Sequence, residues 1–344
     1  MRVLVTGGGG YIGCVLCDHL IRAGHSPVVL DRFFWGRRPL AGVRVEEIVG
    51  DIRDLREEWF DGIEAVVHLA GLSNDPTAEY NPEANWQMNA VGTERLVELC
   101  KRRGIERFTY ASSASLYDTE SSANEPERSP IMCDESTEIA PRGAYSLSKR
   151  HGEEAILAAA DGAFAPVIFR QGTVYGWSPR MRFDLVVNTF IKDASMHRRL
   201  FLHGGGWMWR PLVDVSDVAR VHVMALEAPL DAVRGQIFNV LEENYQIRQL
   251  AMLVAGSFAL RDVRVELVEA PLPSLVRNYR ISNAKLSRAL GFTPSVTVLE
   301  SIERMISQLP GALEELAHPQ NYNVRWMALL EEMHALQRGF RSIY

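Results

Sequence analysis

The chain has 344 residues, 47% of them hydrophobic, enough to bury a large core and long for one domain, so a large domain with a smaller companion is expected. Its net charge of −6, without a long basic run, argues against nucleic acid or an anionic membrane surface as the main partner, and no apolar run approaches the ~20 residues of a membrane span. No signal-peptide pattern precedes the first strand and the four cysteines are too scattered for a disulfide framework, so a cytoplasmic protein is expected.

Val3 to Val5 reads as a buried strand, followed by TGGGGYIG at residues 6–13 and an amphipathic helix from Ile12 to Arg22. Gly8, Gly10 and Gly13 fit the spacing G-x-G-x-x-G, and Gly7, Gly10 and Gly13 fit G-x-x-G-x-x-G. Residues without a Cβ let the backbone turn sharply, approach a pyrophosphate and pack helix on strand, with the helix N-terminus facing the phosphates. A second apolar run, Pro27 to Leu30, ends in Asp31, close to where an acidic residue accepts hydrogen bonds from the adenosine ribose. Asp31 favours NAD over NADP, because a 2′-phosphate would meet a like charge; Arg32, Arg37 and Arg38 weaken that preference. Cys14 and Cys17 have the spacing of a redox pair but fall in the first turns of this helix, and are read as small core or interface residues.

Strands are predicted over Val43–Val49, Ala65–Leu69, Phe108–Ala111 and Pro166–Phe169, with long helices over Glu83–Arg103 and Tyr145–Ala160 between them. This alternation predicts a doubly wound parallel sheet. Residues 118–143, rich in Ser, Glu, Asp and Pro, read as a long surface loop before the second of these helices. Beyond residue 180 the pattern is mixed, as suits a substrate-binding lobe, and Pro310 to Tyr344 reads as helical without a chemical signal.

Tyr145 and Lys149, in YSLSK, lie four residues apart and so project from one helix face about a turn apart. A phenol is a poor base at neutral pH, but a nearby ammonium and an oxidised nicotinamide favour the phenolate. Ser113 follows the strand Phe108–Ala111 at the carboxyl edge of the sheet, where it can hydrogen-bond the reacting oxygen. With the glycine turn, these residues imply hydride chemistry on an alcohol or ketone. A serine hydrolase, hinted at by His203-Gly204-Gly205-Gly206, is excluded because the chain has no G-x-S-x-G elbow, and the histidines show no zinc-ligand spacing.

On these motifs the chain resembles the extended short-chain dehydrogenase/reductases, specifically the NAD-dependent epimerase/dehydratase group acting on nucleotide sugars, over about residues 1–305. Further markers recur in order: GDIRD at 50–54, HLAG at 68–71, Asn89, SSASLY at 112–117, FRQGTVYG at 169–176 and WRPLVDVSDVA at 209–219. The resemblance implies a Rossmann-type doubly wound sheet over residues 1–178, with 211–240 returning to it, and a smaller mixed α/β substrate-binding domain from 179–210 and 241–344. It implies NAD held by Gly7, Gly10, Tyr11, Ile12, Gly13, Asp31 and Arg32, by Asp51 and Ile52 at the adenine, and by Leu69, Ala70, Gly71, Asn89, Tyr145, Lys149 and Gly172. Ser113, Tyr145 and Lys149 take the catalytic places. Ser73, Ser113, Ser115, Tyr145, Thr173, Asn188 and Arg210 take those around a nucleoside-diphosphate sugar, with Arg210 on the diphosphate. A homodimer through Glu83–Arg103 and Tyr145–Ala160 is also implied.

Departures from the family pattern narrow the reaction. The 4,6-dehydratases carry Asp-Glu after the catalytic serine or threonine, the decarboxylases a glutamate at the second of those places, and the 3,5-epimerases a cysteine; here stand Ala114 and Ser115. What remains is 4-epimerisation through a 4-keto intermediate, or 4-dehydrogenation or 4-ketoreduction without epimerisation. A non-catalytic NAD-sensing protein would usually have lost the tyrosine or lysine, and both are kept. Gly172-Thr173 replaces the common Phe-Asn, which implies a different sugar pocket; residues 181–184 and Asn188 either line it or lie on a solvated helix.

Overall fold

The computed structural model describes residues 1–117, 130–272 and 277–341. The strands in chain order are β1 (Arg2–Thr6), β2 (Ser26–Asp31), β3 (Glu46–Val49), β4 (Ala65–His68), β5 (Arg107–Ser113), β6 (Met132–Cys133) and β7 (Ala165–Gln171). They continue with β8 (Thr173–Tyr175), β9 (Arg199–His203), β10 (Trp209–Asp214), β11 (Gln236–Val240), β12 (Glu243–Gln246), β13 (Glu266–Ala270) and β14 (Arg280–Ile281). Seven form one parallel sheet in the order β11-β7-β5-β4-β1-β2-β3. The order reverses between β1 and β4, which opens a crevice at the carboxyl ends of those strands.

Alternate side chains of each strand point to opposite faces, so the apolar runs of this sheet must be covered twice. Helices α1 (Tyr11–Arg22), α2 (Asp75–Tyr80), α3 (Pro82–Trp86), α4 (Gly92–Arg102), α5 (Gly143–Ala159), α6 (Val186–His197) and α7 (Val215–Glu227) follow the strands. Val3 and Val5 pack with Leu16 and Leu20 of α1 and Val223 of α7, whereas Leu4 packs on the other side with Leu96 of α4 and Ile156 of α5. Cys14 and Cys17 belong to the first of these layers, and burial pushes the Cys17 thiol up to about 12, which suits core packing and not redox exchange.

The predicted elements of the sheet are present, with shifted ends. Val43–Val49 shortens to Glu46–Val49, because Val43 and Val45 are held in turns on Leu40 and Val43. The helix expected over Glu83–Arg103 is interrupted at Gln87–Val91 by a wider π-type turn, the kind of local unwinding that often sits beside functional sites. Part of the loop read over residues 118–143 lies outside the described residues; within the remainder, β6 pairs with β14.

The mixed pattern beyond residue 180 becomes a second core. Val187 and Ile191 of α6 pack with Leu200 and Leu202 of β9, Leu250 and Val254 of the helix Ile247–Ala259, and Ile302 of the helix Val298–Ser307. No helix among the described residues is long and apolar enough to cross a membrane.

Candidate active site

Along the crevice at the sheet's carboxyl edge runs a cavity of about 1060 Å³, slightly above the ~300–1,000 Å³ usual for a single ligand. One wall is the glycine turn. Gly7 has φ +75°, and its N–H donates to the Leu30 carbonyl at 2.9 Å, which folds the chain back after β1. A Cβ on Gly13 would lie 2.4 Å from the Gly7 oxygen, so only glycine lets α1 approach the turn. Gly10 caps α1 in an extended conformation without a side-chain acceptor, leaving the first-turn amides of the helix to bind an anion. Tyr11, Ile12 and Gly13 follow on the same wall.

The adenosine end is built by β2 and the chain after β3. The Asp31 carboxylate accepts from the amides of Gly9 (2.9 Å) and Phe33 (2.7 Å); burial nevertheless pushes its pKa up, as desolvation outweighs these bonds. Asp51 is clasped by Arg53 (2.7 and 3.0 Å) and Arg32 (3.3 Å); partial burial opposes ionisation, but the Arg53 bonds outweigh it and hold the carboxyl below its usual range. Ile52 is buried beside it and lines the cavity. Arg32 is thus tied to Asp51 and Arg37 to Glu47, so neither stands ready for a 2′-phosphate. These features fit NAD.

Leu69, Ala70 and Gly71 line the floor after β4. Asn89 lies behind that floor: its amide donates to the Leu72 carbonyl (2.8 Å) and its oxygen accepts from the Leu72 amide (2.8 Å), so it shapes the loop and does not itself face the cavity. The π-type turn carries Asn89 into this position. Gly172 marks the bend between β7 and β8, where a Cβ would meet the Pro211 oxygen at 2.8 Å, and Thr173 beyond it lines the cavity.

Ser113 closes β5 and Tyr145 sits in the first turn of α5, so sheet edge and helix bring two hydroxyls together. The Ser113 hydroxyl donates to Ser115 Oγ at 3.0 Å and lies near enough to the Tyr145 phenol to favour its ionised form. Burial pushes that phenol up to about 12 while neighbouring Ser113 pulls the other way; the residue is half-buried on an open cavity, so water relieves part of the penalty. Lys149 lies a turn further along α5, but its ammonium donates to the Ala111 carbonyl at 2.8 Å and is not among the residues lining the cavity. Ala114 is fully buried in an apolar cluster with Tyr117 and Leu241, so a side chain at that position does not reach the cavity.

Arginines dominate the opposite end. Arg182 pairs with Asp184 at 2.8 Å and donates to Ser73 at 2.9 Å, while Arg277 pairs with Asp75 at 2.5 and 2.6 Å and donates to Ser146 at 3.1 Å. Arg210 donates to the carbonyls of Trp209 and Arg277 and lines the cavity. Arg180 stacks 3.7 Å from the centre of the Trp35 ring; burial lowers its pKa to about 9, which still leaves it protonated at neutral pH. Asn188 does not join them: fully buried, it donates to Tyr11 Oη and the Arg182 carbonyl and accepts from the Gly176 amide, bracing the wall from behind. Asp75, Arg180 and Arg277 escaped the sequence reading, and so did Asn323, Met327 and Leu330 of the C-terminal segment, which was expected to carry no chemistry.

Residues 3–240 match the family model described as the NAD dependent epimerase/dehydratase family. The chain belongs to that family. It is 28% identical over 342 residues to a UDP-glucose 4-epimerase of Corynebacterium glutamicum, covering 92% of this chain and 98% of that one. It is 29% identical over 329 residues to UDP-glucuronic acid decarboxylase 1 of Danio rerio, covering 93% and 75%. The solved structure of the Thermus thermophilus UDP-glucose 4-epimerase complex with NAD superposes with a TM-score of 0.76 at 27% identity, covering 91% of this chain and all of that one.

Proposed function

We propose that the protein is a nucleotide-sugar 4-epimerase, working through a 4-keto intermediate. The observation that carries this reading is that Ser113 and Tyr145 line one cavity together, where positions 114 and 115 supply no carboxyl group. Ala114 is turned into apolar packing and Ser115 is hydrogen-bonded to Ser113 and Ser146, so the acid–base pair needed for elimination is missing. The activities named for the relatives support a nucleoside-diphosphate sugar as substrate.

The glycine turn and Asp31 would hold NAD, which would supply the hydride acceptor and donor. Tyr145 takes the proton of the 4-hydroxyl while Ser113 holds the same oxygen. Lys149, a turn along α5 and protonated at neutral pH, adds positive charge that favours the phenolate. The sugar, now a 4-ketone, turns within the cavity and takes the hydride back on its other face as Tyr145 returns the proton. Arg210 is the proposed anchor for the diphosphate about which the sugar turns. Residues 179–210 and 241–344 are assigned to the substrate-binding domain, and exposed Trp86, Leu147 and Leu157 on α3 and α5 support a homodimer through these helices.

The test is incubation of purified protein with UDP-, GDP-, dTDP- and CDP-sugars, recording reduced nicotinamide and products. An epimer without net NADH is expected; stoichiometric NADH with a keto product would assign a 4-dehydrogenase instead.

A further inference from the structure

On α5, Tyr145, Lys149 and Glu153 recur every four residues and so share one helix face. Glu153 does not line the cavity, and it is as fully buried as Lys149. Its carboxylate is clasped by Arg170 of β7 at 2.8 and 3.1 Å and accepts from the Ser112 hydroxyl at 2.5 Å. Arg170 also donates to the Tyr117 hydroxyl at 2.8 Å, which donates on to Asn239 of β11 at 2.9 Å. Lys149 and Glu153 thus engage successive residues of β5, the Ala111 carbonyl and the Ser112 hydroxyl, and Ser113 is the next. An apolar pair of similar volume would hold these elements at least as well as a desolvated ion pair, so stability alone does not account for it. The other titratable neighbours of Lys149 are Tyr145 on its own helix, Tyr110 of β5 with its ring centre 4.7 Å away, and His68 of β4, stacked on Tyr110 and uncharged. Burial holds both phenols protonated at neutral pH, and Glu153 is the charge that opposes the discharge of Lys149.

We propose that Glu153 is a positioning residue for the reaction: fixed by Arg170 and Ser112, its carboxylate keeps the Lys149 ammonium charged where the core would otherwise strip its proton. Side chains four apart on a helix bring their Cβ atoms to about 5–6 Å, close enough for opposite charges to act strongly through a poorly polarisable interior. Arg170 cancels part of that field, but it also anchors the carboxylate so that the ammonium stays on the Ala111 carbonyl. The effect on turnover runs from Glu153 through Lys149 to Tyr145, and to that extent the inference rests on the reading of Tyr145 as proton acceptor.

The chain has four lysines, so labelling lysine with 13C at Cε gives a spectrum in which Lys149 is assigned by its loss in Lys149→Met. Its titration is followed by NMR in the full-length protein as purified, in Glu153→Gln, in Arg170→Met and in the double variant. The natural midpoint is expected at about 8. Glu153→Gln should lower it by about one pH unit or more, whereas Arg170→Met, which breaks the same ion pair but frees the carboxylate's field, should raise it. A purely structural role would move both variants the same way or neither, and either result overturns the proposal. Should a single variant fail to fold with a buried charge unpaired, the double variant decides alone: a lowered midpoint supports the proposal and an unchanged or raised one overturns it. Turnover of Glu153→Gln at pH 7.5 should fall about threefold to thirtyfold with KM little changed, and the gap to the natural protein should narrow at pH 6, where Lys149 regains its proton. The predicted titrations with unaltered turnover would sink the reading of Tyr145 and leave the Glu153–Lys149 coupling; lost turnover with an unmoved titration would do the reverse.

Discussion

The ammonium of Lys149 donates to the backbone oxygen of Ala111 at 2.8 Å, and no hydrogen bond among the described residues joins it to Tyr145, one turn earlier on the same helix. The lysine lies 4.7 Å from the centre of the Tyr110 ring and is almost fully buried, which lowers its pKa from 10.5 to about 8, with Glu153 pulling the other way. Between those values the unfolded chain holds a proton that the folded one has lost, so this residue makes folding more favourable as pH rises through the window. The full shift is worth on the order of 3 kcal/mol. Without NAD, denaturant unfolding at pH 7.5 and pH 10 is expected to show the natural protein gaining stability relative to Lys149→Met as pH rises; an unchanged difference would mean the ammonium is better solvated than its burial implies.

Tyr145→Phe removes the proposed proton acceptor and little else. Turnover is expected to fall by about 10²–10⁴-fold or more, while NAD bound per chain stays near that of the natural protein. Quantifying the nucleotide released on denaturation checks the second half.

Gly13→Ala places a methyl group 2.4 Å from the Gly7 oxygen and 2.5 Å from Gly8 Cα, both backbone atoms with no rotamer to yield. A loss of about 1–3 kcal/mol in unfolding free energy is expected, accompanied by loss of copurified NAD. Retention of both would show that α1 can slide away from the turn.

His222 is buried between Thr109 (2.7 Å) and Gln171 (3.2 Å), and burial pulls its pKa down to about 3; His68, between Thr6 and Thr93, is pulled down for the same reason. Below their ordinary value of 6.5 the unfolded chain takes up protons that the folded chain refuses, so stability is lost as pH falls from there. Thermal midpoints measured from pH 7 to pH 4 are expected to fall less steeply for His222→Gln, which keeps hydrogen-bonding groups at the site without a charge to gain.

The parts legible in the sequence are those whose chemistry is local. The glycine turn, Asp31 at a strand end, and Tyr145 following Ser113 announce themselves by residue type and spacing. Lys149 was read to the correct helix face but not to its partner, because the spacing fixes a direction and cannot say that the Ala111 carbonyl competes for the ammonium. Asp75 and Arg277 are 202 residues apart, so no spacing rule could pair them. The C-terminal segment did offer a signal, since Tyr322, Trp326 and Met327 cluster on a helix end that must be covered by something. Asn188 misled because a buried amide that braces two backbone segments has the same one-letter code as one that touches a sugar.

The central claim is tested most directly with a nucleoside-diphosphate sugar deuterated at carbon 4. If Tyr145 and Ser113 serve a reversible oxidation at that carbon, the product is the 4-epimer with its deuterium still on carbon 4 and no reduced nicotinamide accumulating. Deuterium lost to water, or transferred to nicotinamide and left there beside a keto sugar, would contradict the account.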